Sequence, residues 1–177
     1  MSRPPVPATQ RTAPTLRRAY FDCRHGQLHA YLAIPSGGGF DEKTAVLCVP
    51  GTAGVGSVFQ PLLAQLGSDR SVYAPDAPGS GLSDAPATGI SAEAHAGALL
   101  DLLRDLRLRR VHVLARDEGT TAALRLLELA PTLVATVVLW GRPTVIPPGN
   151  DTARVVNMGM VSDTGQMLEQ LSRQFSD

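Results

Sequence analysis

Apolar residues follow two patterns along the chain, and each pattern predicts a different element. Short unbroken apolar runs predict strands buried on both faces, whereas apolar residues recurring every three or four positions predict helices with one buried face. Strands are predicted at residues 17–24, 27–34, 45–49, 71–75 and 135–140 and from Val111 onward, the first two forming a hairpin around His25-Gly26. Helices are predicted around Phe59 to Leu66, after Ser91 as N-cap, from Glu118, and over residues 165–175. This alternation predicts an α/β fold, a mostly parallel sheet flanked by helices.

Three loops follow predicted strands and are the candidate sites of chemistry. They cover residues 50–57, 76–84 and 115–119. In parallel sheets, ligands bind beyond the carboxyl ends of the strands. We therefore expect any active site to be built from these loops.

The turn at residues 115–119 has an acidic residue at its apex. Asp117 stands between a strand and a helix rich in small residues, with Ala115 two positions before it and Gly119 two positions after it. Small residues at those positions are what a crowded nucleophile turn requires, with the apex side chain exposed above the sheet. Asp is also a favoured N-cap residue, so Asp117 could instead close the first turn of the helix from Glu118. Both interpretations are open at this point.

Composition limits the range of partners. The 177 residues carry a formal net charge of zero, which gives no electrostatic argument for nucleic acid or an anionic membrane. No apolar run is long enough to span a membrane, and Cys23 and Cys48 lack metal-binding or disulfide spacing. We predict a disordered Pro-rich tail over residues 1–15, one domain over residues 16–177, and a cytoplasmic location. The expected partner is a small-molecule substrate, with no cofactor and no metal ion.

Three motifs in order resemble those of the α/β-hydrolase fold. Val49-Pro50-Gly51-Thr52 is similar to the family's oxyanion loop, Asp76-Ala77-Pro78-Gly79-Ser80-Gly81-Leu82-Ser83 to its D-x-x-G-x-G-x-S loop, and Ala115-Arg116-Asp117-Glu118-Gly119 to its nucleophile elbow. An Asp at the elbow resembles haloalkane dehalogenases and epoxide hydrolases. The resemblance implies a hydrolase in which Asp117 attacks carbon and forms an ester. It also implies that backbone N–H groups of Thr52 and Glu118 form the oxyanion hole.

The chain departs from that family in its later part. Pro50 stands where the family usually has His, and no histidine follows His112 to act as the base. Asp151 could at most imitate the family's acid. For the four histidines, His25, His29, His95 and His112, we expect solvated or structural roles, with His25 and His29 at exposed tip and strand positions. The cap and the last strands, expected after Trp140, are predicted to be absent, and the exposed sheet edge predicts possible self-association.

Two other interpretations compete with the hydrolase. Gly51-Thr52-Ala53-Gly54-Val55-Gly56 follows a strand, and Asp76 lies at the next strand end, as in dinucleotide-binding domains, although the glycine order differs from G-x-G-x-x-G. The missing base also favours a hydrolase-like scaffold that binds or interacts without catalysis.

Overall fold

The computed structural model describes residues 13–36, 43–51, 53–87, 89–142, 154–161 and 163–175. Its strands are β1 (Thr15–Cys23), β2 (Gly26–Ile34), β3 (Ala45–Val49), β4 (Val72–Pro75), β5 (Val111–Arg116), β6 (Val134–Trp140) and β7 (Arg154–Gly159). They form one sheet in the order β1-β2-β4-β3-β5-β6-β7. The β1–β2 and β2–β4 pairs are antiparallel, and all other pairs are parallel. The predicted mostly parallel α/β sheet is confirmed.

The register of the parallel strands brings three loops to one edge of the sheet. Val49 pairs with Ala115 across β3 and β5, and Arg116 pairs with Trp140 across β5 and β6. The segments that follow these strands therefore begin side by side. Residue 117 lies between the chain leaving β3 and the chain leaving β6.

Helices cover both faces of the sheet. They are α1 (Gln60–Leu66), preceded by a 3-10 helix (Gly56–Phe59), α2 (Ala92–Asp105), α3 (Gly119–Leu129) and α4 (Thr164–Gln174). The helices α2 and α3 pack in a core with Leu47 and Val49, whereas the 3-10 helix, α1 and α4 pack in a second core with Val46 and Cys48. Successive side chains of a strand point to opposite faces, so these are the two sides of the sheet.

Several predicted boundaries are confirmed. The strand at residues 45–49 has the predicted bounds, because all five residues are apolar and all five are buried. Ser91 caps α2 as predicted, its side chain accepting a hydrogen bond from the Ala94 N–H. The predicted hairpin is present, but its turn lies at Arg24-His25, one residue earlier than predicted, because Gly26 already pairs with Cys23 in β2.

The expectation that no strand follows Trp140 was wrong. The strand β7 pairs in parallel with β6 over residues 154–159. Its sequence, Arg154-Val155-Val156-Asn157-Met158-Gly159, is short and broken by Asn157, so its apolar pattern does not show it. Residues 143–153, which include Asp151, lie outside the described residues.

At the other end of the chain, β1 already begins at Thr15, inside the predicted tail, while residues 1–12 lie outside the described part. No helix in the described part of the chain is both long and apolar enough to cross a membrane. The cytoplasmic location and the self-association stay predictions.

Candidate active site at the β5–α3 turn

Asp117 occupies the apex of a sharp turn between β5 and α3. Its φ angle is +49°, in the left-handed region that few residues other than glycine adopt. Three hydrogen bonds to its backbone hold it there: its N–H donates to the Trp140 carbonyl (2.9 Å), and its carbonyl accepts from the Thr120 N–H (3.2 Å) and hydroxyl (2.7 Å). A strained backbone of this kind persists only where the surroundings fix it, as often at functional sites.

The Asp117 carboxylate does not cap the helix. The N-cap of α3 is Glu118, which makes no side-chain cap hydrogen bond. Oδ1 of Asp117 instead accepts from the backbone N–H of Arg142 at 2.9 Å, and Oδ2 lies 3.3 Å from Nε of Arg116. The N-cap interpretation was therefore wrong. The carboxylate turns toward the end of β6 and keeps 46% of its side chain exposed.

Glycines at two positions make this arrangement possible. A Cβ on Gly119 would lie 2.4 Å from the Pro50 carbonyl oxygen and 2.5 Å from that of Val49, so α3 begins in direct contact with the end of β3. Gly141 has a φ of +92°, and a Cβ there would lie 2.1 Å from Oδ1 of Asp117. Both glycines are required by close approach of the backbone.

A cleft of about 460 Å³ separates the turn from the segment after β3. It is lined by Pro50, Gly51, Ala53, Gly54, Val58, Arg116, Asp117 and Glu118. Asp117 therefore lines a space large enough for a small organic molecule. Glu118 lines this cleft, whereas Thr52 is outside the described residues, so the oxyanion hole stays a prediction.

The second motif has a different role, because its Asp76 is a buried structural residue. The Asp76 side chain is 2% exposed and accepts hydrogen bonds from the Gly56 N–H (2.7 Å), the Leu82 N–H (3.1 Å) and Nδ1 of His29 (2.8 Å). One carboxylate thus joins β2, the start of the 3-10 helix, and the loop after β4. It has no exposed oxygen to offer a ribose, which argues against the dinucleotide interpretation.

Comparison with known proteins identifies the fold family. A sequence model of the alpha/beta hydrolase fold matches residues 44–175. The chain belongs to this family. Uncharacterized proteins of Mycobacterium bovis and Mycobacterium tuberculosis are each 28% identical to it over 155 residues, covering 88% of this chain and 43% of each relative. The chain thus spans less than half the length of these relatives.

Solved structures show the same fold at low identity. A naproxen esterase from Bacillus subtilis is 19% identical, with a TM-score of 0.63 over 73% of this chain and 46% of its own. The epoxide hydrolase CorEH is 20% identical, with a TM-score of 0.65 over 77% of this chain and 46% of its own. These likenesses show the fold of this alpha/beta hydrolase chain.

None of the four histidines of this hydrolase-fold chain lines the cleft. His25 contacts the Ala94 carbonyl through Nε2 (3.2 Å), and His112 is buried in β5 and stacks on Phe175 with ring centroids 4.7 Å apart. His95 is buried in α2, where burial lowers its pKa to about 4. These positions agree with the expected structural roles.

The predicted exposed position of His29 was wrong. Its side chain is 1% exposed, and its ring contacts the rings of Tyr20 and Tyr31 as well as Asp76. A carboxylate partner offsets the cost of burying the polar ring. That partner comes from the loop after β4, so hydropathy along β2 does not reveal it.

Sequence reasoning missed three residues that position the carboxylate. Arg116 lies with its guanidinium carbon 4.6 Å from the ring centroid of Trp140, while Arg142 supplies the N–H to Asp117. Trp140 is the last residue of β6, and Arg142 comes two residues later. The register of the sheet, not the spacing along the chain, brings both of them to Asp117. The one sign of these contacts in the sequence was the basic residue Arg116 directly before the acidic Asp117.

Proposed function

We propose that this chain is a hydrolase of the alpha/beta fold that acts on a small organic substrate through the Asp117 carboxylate. The observation that carries the proposal is the half-exposed carboxylate at a left-handed strand-to-helix turn on the wall of a cleft. A carboxylate is ionised at neutral pH and needs no base to act as a nucleophile. The fold supplies the exposed position, and the cleft supplies room for the electrophile.

The reaction class follows from this nucleophile. One carboxylate oxygen forms a bond to an electrophilic carbon, and the bond from that carbon to a halogen or an epoxide oxygen breaks. The leaving halide or alkoxide takes the bonding electron pair, and an alkoxide then takes a proton from water. We propose the backbone N–H groups of Thr52 and Glu118 as the donors that stabilise the developing negative charge.

Arg142 and Arg116 hold the carboxylate for this step. The backbone N–H of Arg142 binds Oδ1, which leaves Oδ2, beside Arg116, as the attacking atom. Fixing the nucleophile before the substrate arrives removes part of the entropic cost of reaction. Releasing the product from the ester needs a base to activate water. Because no histidine lines the cleft, we expect the ester on Asp117 to accumulate in this chain.

The test is alkylation of Asp117. The protein is incubated with a terminal epoxide, an activated haloalkane and a p-nitrophenyl ester, and intact mass, peptide mass and product are followed. We expect one adduct, on Asp117, with the epoxide or haloalkane. Asp117→Asn keeps the shape of the side chain and its Oδ1 acceptor but should abolish the adduct, whereas Asp105→Asn, an exposed position on α2, should react as the wild type does.

A non-catalytic binding module is the second candidate, and the positions of the histidines favour it. The two candidates differ in one result. If none of the three reagents gives an adduct or a product, and Asp117→Asn behaves as the wild type does, the chain is a binding module rather than a hydrolase.

A further inference from the structure

A second, smaller cavity lies beside the cleft. Its volume is about 180 Å³, and it lies among the 3-10 helix and α1, the end of β6, and the start of α4. Six of its lining residues are apolar: Val58, Pro61, Leu62, Trp140, Val161 and Met167. Arg116, Asp163 and Thr164 complete the lining. We call this space the side chamber.

The side chamber and the cleft are neighbours that share two lining residues. Val58 and Arg116 line both spaces. Arg116 separates the two spaces. Its guanidinium stacks on Trp140 in the side chamber, and its Nε lies 3.3 Å from Oδ2 of Asp117 in the cleft. The side chamber therefore lies directly across Arg116 from the Asp117 carboxylate.

The Trp140 ring is held in place. Its Nε1–H donates to the Val161 carbonyl at 3.1 Å, and its ring lies 6.2 Å from that of Phe59. A fixed aromatic wall with satisfied polar atoms favours an apolar occupant over a polar one. An apolar cavity of about 150 Å³ in another protein binds benzene. The side chamber is thus the size of a benzene ring or a short alkyl chain.

We propose that the side chamber is the subsite for an apolar group of the substrate, an aryl ring or a short alkyl chain attached near the carbon that Asp117 attacks. Arg116, stacked on Trp140, forms the partition that this group passes. The inference rests on the proposed function, since it names the part of the substrate that lies beside the reacting carbon. It defines the substrate class as a small electrophile with one apolar arm.

The first experiment measures alkylation of Asp117 by a series of terminal epoxides. These reagents, 1,2-epoxypropane, 1,2-epoxybutane, 1,2-epoxyhexane and 1,2-epoxyoctane, share the same reacting group and differ in the length of the alkyl chain. In a hydrophobic pocket each methylene is worth roughly tenfold or more in discrimination. We expect the rate constant to rise by at least about tenfold from epoxypropane to epoxyhexane.

A pair of variants on α4 makes the test specific. Thr164→Phe places a ring in the side chamber, whereas Gln166→Phe places the same ring at an exposed position outside its lining. We expect Thr164→Phe to remove the dependence on chain length while epoxypropane still reacts, and Gln166→Phe to retain it. Equal rates along the series, or equal behaviour of the two variants, would overturn the subsite and leave the Asp117 nucleophile standing.

A binding measurement separates the subsite from the chemistry. Trp140 is the single tryptophan of the chain, so its fluorescence reports on the side chamber directly. Bromobenzene should quench it saturably in the wild type and in Gln166→Phe, and only weakly in Thr164→Phe. Saturable quenching without any alkylation would retain the apolar site and refute the proposed reaction. Quenching that is linear and equal in all three proteins refutes the subsite.

Discussion

Replacing Gly119 by alanine tests the contact on which the β5–α3 turn depends. The added Cβ would lie 2.4 Å from the Pro50 carbonyl oxygen and 2.5 Å from the Val49 carbonyl oxygen, both backbone atoms. An ordinary contact at 3.4 Å would require the start of α3 and the end of β3 to separate by about 1 Å. The backbone at this position offers no flexible side chain that could move instead.

The size of the effect follows from two opposing terms. At an unstrained position, changing glycine to alanine stabilises a protein by roughly 0.4–1 kcal/mol, because the unfolded chain loses freedom. Overpacking a tight contact costs roughly 1–3 kcal/mol. We therefore expect Gly119→Ala to lower the free energy of unfolding by about 1–2 kcal/mol. For a chain of 177 residues this corresponds to a melting temperature lower by roughly 2–8 °C.

Gly51→Ala is the matched control. Gly51 lies on the opposite wall of the same cleft, and a Cβ there would lie 3.7 Å from Cβ of Glu118, an ordinary contact. We expect this variant to be as stable as the wild type or slightly more stable. Urea unfolding and thermal unfolding of the three proteins check the difference. If Gly119→Ala matched Gly51→Ala, the close approach of α3 to β3 would not be a constraint, and the reasoning about the turn would fail.

Three further predictions concern buried polar groups. In Asp76→Asn, the amide N–H faces at least one of the three donors that now bind the carboxylate. The free energy of unfolding, measured in urea, should therefore fall by roughly 1–3 kcal/mol. Burial lowers the pKa of His95 to about 4, so the unfolded chain takes up this proton below about pH 6.5 and the folded chain does not until about pH 4. The free energy of unfolding should therefore fall as the pH is lowered across that window. Between pH 7 and pH 4.5 this fall should be smaller in His95→Leu than in the wild type. Burial also raises the pKa of the Cys48 thiol, so the native protein should leave Cys48 unreacted with a thiol reagent, and unfolding in urea should expose it. Rapid labelling of native Cys48 would contradict that burial.

The parts of the fold that could be predicted are those in which a local pattern decides the structure. The strand at residues 45–49 is buried on both faces, so every residue in it is apolar, and the Ser91 cap depends on one side chain three residues from its donor. The strand β7 lacks such a pattern. It forms by pairing its backbone with β6, so its stability depends on a neighbour that the local sequence does not specify.

The candidate site divides in the same way. The position of Asp117 and the need for Gly119 follow from the spacing of a motif, because the crowded turn fixes small residues at set distances from the apex. The contacts of the carboxylate come from the end of β6, and the partner of His29 comes from the loop after β4. Such contacts depend on the sheet register, and a single sequence does not display it.

The close contact between Gly141 and the Asp117 carboxylate has a consequence for how the sequence around Asp117 can vary. The chain leaves β6 directly against the Asp117 carboxylate, held there by one hydrogen bond from the next residue. Any change in the length or composition of the connection that starts at Arg142 therefore begins next to the Asp117 carboxylate, after the last paired residue of β6. Evolution or design can change the sequence next to this carboxylate without changing the paired residues of the sheet, as connecting segments on rigid frameworks allow.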